Sequence, residues 1–279
     1  MKTKMIRRDE WRVAGDGSIS PRCAPSRHPT RVTRHTFAFT IVELLTVIAI
    51  IAILAALLLP ALSGAKIQAQ KRQAQLQISD LVTAIQNYDS AYSRFPVSAT
   101  AQAAAINGQF TYGGWIPINP TTTWPNPVPA NYYPSNSEVI AILMDITNTT
   151  VTAVNQNHQK NPQQTVFLNA KMVSNTNLAG VGPDLVYRYP WKNPYVITID
   201  LNADNQCLDA FYGLNVVSGP GGASSNPGLN GLVNPDTTQN NNFRFHGNVM
   251  VWSAGPDGKI DPTMSANLGA NKDNILSWQ

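Results

Sequence analysis

Charge is scarce in this chain, and so are the side chains on which most catalysis and metal binding depend. Only 13% of its 279 residues are Asp, Glu, Lys or Arg, with two cysteines and four histidines. Beyond residue 38 the histidines are His158 and His246, too few for a histidine-built metal centre. No GxSxG, HExxH or CxxC spacing occurs, and neither histidine has a nucleophile at an informative spacing. An enzyme is therefore not expected. GPGGASSNPG (219–228) reads as a flexible connection and not a phosphate loop, because no Lys-Ser/Thr follows and no βα unit encloses it. Cys23 and Cys207 lie on opposite sides of a long apolar run, so if that run spans a membrane they cannot pair.

Positive charge is missing from most of the chain as well. Residues 1–38 hold nine Lys/Arg against three acidic residues, whereas 39–279 hold eleven against thirteen. The formal net charge of +4 thus belongs to the N-terminal segment. The remainder offers no basic patch for phosphates, which argues against nucleic-acid binding.

What the chain does have is FAFTIVELLTVIAIIAILAALLLPALSGA, residues 37–65. Residues 44–65 carry no charge over 22 positions, about 33 Å of helix and enough for a bilayer core. Glu43 sits at the edge of this run, where a carboxylate carried into lipid costs a few kcal/mol. A secretory signal peptide would place cleavage at Ser63-Gly64-Ala65, but 43 residues precede its apolar core. A plain signal anchor accounts for the length and leaves Glu43 unexplained. A third reading cuts the chain before the apolar run, between Ala38 and Phe39. The basic leader then leaves, the helix stays, and Glu43 becomes the fifth residue. It lies one turn from a new α-amino group on Phe39 with which a neighbouring subunit's carboxylate can pair. An ion pair inside a membrane costs far less than a lone carboxylate.

FTIVELLTVIAIIAIL resembles the N-terminal signature of type IV pilins and of the pseudopilins of type II secretion. The resemblance implies prepilin-peptidase cleavage between Ala38 and Phe39, N-methylation of Phe39, and a role for Glu43 in subunit assembly. Ala38 stands where that signature usually has Gly, and the 38-residue leader is longer than usual.

The helical pattern continues past Pro60 and Gly64, a pair that predicts a kink. Ala74, Ile78, Leu81, Ile85, Tyr88, Tyr92 and Phe95 recur at steps of four and three, one apolar stripe on a helix. One helix is expected from residue 39 to about 93, membrane-spanning over 39–62 and amphipathic over 63–95, closed by Pro96. Residues 96–183, rich in Pro, Asn, Thr and Gly, read as a loop-rich insertion with one convincing helix at SEVIAILMDIT (137–147). LVYRY (185–189), YVITIDL (195–201), CLDAFYG (207–213) and NVMVWSA (248–254) read as strands of an antiparallel sheet within 184–279. The fold class is α+β: a long N-terminal helix packed on a small C-terminal sheet.

YPWKNPY (189–195), VWSAGPDGKID (251–261) and DNILSW (273–278) resemble the C-terminal segments of the major pseudopilin of type II secretion. That resemblance implies a Ca²⁺ turn. Asp257 and Asp273 would be its carboxylates, Asn274 a neutral oxygen in place of a second Asp, and Asp261 a compensating ligand. Otherwise GPDGK is simply a tight turn. DLNADNQCLD (200–209) starts like a calcium loop but lacks its glycine and glutamate, so a hairpin turn is the expected account.

The expected function is structural. The chain would be a major pseudopilin, held in the inner membrane with its body in the periplasm, that forms a homo-oligomeric filament. Its implied partners are prepilin peptidase, an inner-membrane assembly platform, minor pseudopilins and secreted cargo. A type IV pilin of a surface fibre and a monomeric, membrane-anchored binding protein are the alternatives.

Overall fold

The computed structural model describes residues 40–105, 107–113, 135–147 and 150–279, without the side chains of Pro60 and Ala61. The chain divides into two compact units, Met1–Leu54 and Ala55–Gln279. The helix α1 (Ile41–Tyr92) is assigned across that boundary. Its backbone stays helical through Pro60 and Gly64, although proline supplies no amide for an i→i−4 bond.

The start of α1 is written in TIVE. The Thr40 hydroxyl accepts from the Glu43 amide at 3.2 Å, while Glu43 Oε2 accepts from the Thr40 amide at 2.9 Å. This reciprocal arrangement is a capping box, which satisfies two amides that a helix start otherwise leaves open. Along the first unit the side chains of Ile41, Val42, Leu44, Leu45, Ile48 and Ile51 are all exposed. It is one helix, among the described residues, long and apolar enough to cross a membrane.

In the second unit the stripe faces inward as its period predicts. Ala74, Ile78, Leu81, Ile85 and Tyr88 are buried, and Tyr92 and Phe95 pack against them. Tyr88 and Tyr92 donate their hydroxyls to Lys160 O and Asn161 Oδ1, and Tyr195 donates to Gln77 Oε1 at 2.7 Å. These bonds give the polar ends of buried aromatics a partner while the rings fill the core. The helix stops at Ser93, which adopts a left-handed φ of 50° and donates to Asp89 O at 2.7 Å.

The core that receives α1 is a four-stranded antiparallel sheet in the order β1-β4-β7-β8. Its strands are β1 (Gln109–Tyr112), β4 (Val196–Asp200), β7 (Val249–Ser253) and β8 (Ile275–Leu276). Two two-stranded ribbons accompany it: β2 (Gly180–Val181) with β3 (Tyr187–Arg188), and β5 (Gln206–Cys207) with β6 (Phe245–His246). Short helices α2 (Ala99–Ala103), α3 (Ser137–Leu143) and α4 (Asn215–Ser218) connect them. Asn136 fastens α3 to β3 and to the residue that leads into β4. Its Nδ2 donates to Tyr187 O and Tyr195 O, and its Oδ1 accepts from Tyr187 N.

Four expectations differ from this structure. The stretch 96–183, expected to be irregular, supplies β1, which pairs with β4 from Gln109↔Asp200 to Tyr112↔Ile197. The helix expected over 137–147 ends at Leu143, because Asp145 takes a left-handed φ of 54° and Ile146 N returns to Ala141 O. CLDAFYG forms only the last residue of β5 before turning away. The cause is Asp209, whose Oδ1 accepts from the Phe211 and Tyr212 amides and so competes with a strand ladder. LVYRY likewise joins the β2–β3 ribbon and not the central sheet. The Pro-rich segment 115–134 lies outside the described residues.

Candidate functional site

Two places carry sequence-predicted function, the start of α1 and the turn after β7. At the first, Glu43 is placed by the capping box; Thr40 Oγ1 also donates to Glu43 Oε2 at 2.8 Å. Within one chain the carboxylate thus has a local partner already, which the expectation for assembly did not include. The signal was present in the spacing Thr-x-x-Glu immediately before an apolar run. Ala38 and Phe39, the expected cleavage and methylation positions, lie outside the described residues, as does Cys23. Cys207 is a free, buried thiol whose pKa burial pushes up, so it behaves as a core residue and not a nucleophile.

The second place is built by β7, the GPDG turn and the chain entering β8. Gly255 has a φ of 63°, and a Cβ there would lie 2.1 Å from Asp273 O. Only glycine permits that close approach, which brings Asp273 against the turn. Gly258 also has a φ of 63°, and its carbonyl accepts from Asn193 Nδ2 at 3.4 Å. The YPWKNPY segment and the GPDG turn, far apart in sequence, therefore meet here.

Asp257 Oδ1 accepts from Lys259 N at 2.8 Å and shapes the turn. The Asp273 carboxyl is held above its ordinary range, first by burial and second by the negative charge of Asp257. Asp261 does not join them. Its Oδ1 accepts from the Thr263 amide and hydroxyl at 2.8 and 2.6 Å, and its backbone amide donates to Asn271 Oδ1. Among the described residues no three His, Cys, Asp or Glu side chains come together. Of the four expected residues, Asp273 feels the charge of Asp257, Asp261 Oδ1 is engaged by Thr263, and Asn274 Nδ2 donates to the Tyr212 hydroxyl.

Several buried oxygens around this turn have no hydrogen-bond partner: Asp273 Oδ1, Asn274 Oδ1, Ser253 Oγ and Tyr189 Oη. Ser253 pairs with Ile275 in the β7–β8 ladder. The fully buried Tyr189 phenol is pushed up by burial and lies within the fields of Asp257 and Asp273. Its hydroxyl approaches Asn193 and the Ala254 amide without closing a bond of normal geometry. Buried polar atoms are almost always paired, so a group of unpaired oxygens beside two carboxylates has the donor chemistry of a hard cation site.

The other acidic loop is different. Asp200 Oδ1 accepts from the Asn202 and Ala203 amides, and Oδ2 from Asn205 N at 2.9 Å. Asp204 accepts from Asn202 Nδ2 and Gln206 N. These carboxylates are consumed in folding the loop, as the turn reading expects, although β5 pairs with β6 and not back on β4.

Against known proteins, the chain is 31% identical over 102 residues to the type II secretion system core protein G of Aeromonas hydrophila. The match covers 34% of this chain and 71% of that protein. No family model matches the chain. No solved structure matches it either.

Proposed function

Because the chain belongs to the family of the type II secretion system core protein G, we propose that it is a structural subunit of a pilus-like filament in such an apparatus. Prepilin peptidase removes the basic leader between Ala38 and Phe39, and Phe39 is N-methylated. The apolar helix holds the subunit in the inner membrane, with its body in the periplasm, until neighbouring helices replace the lipid around it. The Phe39 amine of one subunit pairs with Glu43 of another and sets the register of addition. The assembly platform drives that addition, minor pseudopilins accompany it, and the growing homo-oligomer moves cargo outward. The chain's work is mechanical and requires no catalytic residue.

The observation that carries this reading is the first unit of α1. It exposes its apolar side chains throughout and places a carboxylate at its start. The intact N-terminus of membrane-extracted protein, read by mass spectrometry, tests it. A chain beginning with N-methyl-Phe39 is expected. A chain beginning at Lys66, or an uncut one, would overturn the assembly account.

At the C-terminal turn, Asp257, Asp273 and Asn274 Oδ1 hold a calcium ion, which supplies positive charge where the fold concentrates oxygen. The linkage has a definite sign. Burial and Asp257 raise the folded pKa of Asp273, so the folded chain binds that proton more tightly than the unfolded chain. The cation-free protein is relieved of this penalty at low pH and carries it in full above the raised pKa. Calcium at about 1 mM is therefore expected to raise the melting temperature at neutral pH, with no effect near pH 3 where carboxyls are protonated. An equal shift at both pH values would exclude Asp273 as a ligand.

A further inference from the structure

A half-open cavity of about 150 Å³ lies where the turn at Asn230, the 266–274 loop and the chain beyond β8 meet. Its wall is preformed. Asn271, 2% exposed, spends its side chain on the loop: Oδ1 accepts from Asp261 N at 2.8 Å, and Nδ2 donates to Asp261 O and Met264 O at 2.8 and 2.9 Å. Ala266 N donates to Val217 O at 2.8 Å and ties the loop to α4. A wall fixed in this way loses little further freedom when a ligand enters. Asn230, Asn267 and Gln279 line the cavity with three carboxamides that hydrogen-bond to nothing else among the described residues. Lys272 is the one charged side chain in the lining, and it lies beyond salt-bridge distance of every carboxylate among the described residues. Tyr212, 1% exposed, lines it from the core. Burial keeps its phenol neutral, and one hydrogen bond with the Asn274 amide at 2.8 Å leaves the hydroxyl further bonding capacity.

We propose that this cavity binds a single acidic sugar, a six-membered ring carrying hydroxyls and one carboxylate. Its size suits such a ring, since a cavity of about 150 Å³ in another protein admits benzene. Each sugar hydroxyl donates and accepts, and each carboxamide offers an acceptor beside two donors, so three amides match neighbouring hydroxyls. Lys272 only donates and carries charge, so a ligand carboxylate is the partner that meets it in a charge-assisted bond. A divalent cation finds the opposite here, a lysine and no carboxylate. Ala266 and Leu276 supply apolar surface for the C–H face of the ring. The open side of the cavity admits a free sugar or the terminal residue of a polysaccharide. This site depends on neither the filament role nor the calcium turn.

The test uses the full-length chain in a detergent whose headgroup is not a sugar. Calorimetry compares glucuronate, a glucuronate-terminated oligosaccharide and glucose, and the melting temperature of each variant reports its fold. Glucuronate is expected to bind about tenfold more tightly than glucose, the difference a charge-assisted bond makes. Lys272→Gln is expected to bring glucuronate down to the affinity of glucose. Asn267→Leu removes one amide and keeps the charge, so both sugars should weaken about fivefold together. Both substituted residues are exposed, so the melting temperature should not change. Binding of either glucuronate ligand supports the site, and the tighter of the two identifies the source. Absence of binding by both at millimolar concentration would overturn the proposal. So would equal affinity for glucose and glucuronate, or a Lys272→Gln variant that binds glucuronate as the wild type does.

Discussion

Replacing Asp209 by alanine is expected to lower the melting temperature by about 10 °C, reflecting a loss of about 3–5 kcal/mol. Asp209 is 1% exposed and has no cationic partner within salt-bridge distance among the described residues. Its stability in the core comes from hydrogen bonds. Oδ1 accepts from the Phe211 and Tyr212 amides, while Oδ2 accepts from Thr198 Oγ1 at 2.6 Å and Trp252 Nε1 at 3.1 Å. Those donors belong to β4, β7 and the turn that replaces the expected strand 207–213. Alanine takes the shared acceptor from all of them, and stranding buried donors costs more than the bonds contribute net. Total stabilities are only about 5–15 kcal/mol, so the loss is a large fraction of the whole. Asparagine keeps Oδ1 for the two amides but points an amino group toward the Trp252 indole, so it should fall between wild type and alanine. Thermal unfolding followed by near-ultraviolet circular dichroism reads the packing of the aromatic core, Trp252 included. A shift under 3 °C for the alanine variant would mean that this carboxylate does not organise the core as described.

Glu43→Gln is expected to abolish filaments while leaving the protein in the membrane fraction and folded. Glutamine serves in a capping box as well as glutamate does, so the helix start with Thr40 survives this change. Only the charge is lost, and with it the proposed pairing with the Phe39 amine of a neighbour. Removing one partner of a buried ion pair costs about 3–5 kcal/mol at each contact. Repeated along a filament, that penalty prevents growth. Thr40→Val makes the complementary change: it removes the hydroxyl cap, worth about 1 kcal/mol, and keeps the carboxylate. Filament yield should then fall modestly. Electron microscopy of cells co-expressing the assembly platform counts the filaments. Normal filaments from Glu43→Gln would leave Glu43 as a helix cap and nothing more.

The glycine at 255 and the tyrosine at 212 show why the C-terminal turn was only half legible before the fold was known. GPDG announces a turn by its own composition, and Asp257 and Asp273 could be named on resemblance. That Asp261 turns instead to Thr263 follows from a local Asp-x-Thr bond that competes with any distant ligand. That Tyr212 faces Asn274 depends on two segments 62 residues apart and has no local signature.

The sequence by itself determined what depends on neighbours within a few positions. The uncharged run, the Thr40–Glu43 cap, the three-and-four spacing that buries Ala74 through Tyr88, and the central strands at 196–200 and 249–253 are of that kind. Periodicity and capping are properties of a few consecutive residues, so they can be read without a fold. Tertiary structure decided which strands share a sheet, and it recruited β1 from a stretch whose composition favours loops. It also decided that Asp209 would break one expected strand to anchor Trp252, and that oxygens from Asp273, Asn274, Ser253 and Tyr189 would be left unpaired around one turn. Those outcomes depend on partners distant in the chain, whose approach is set by packing the whole core.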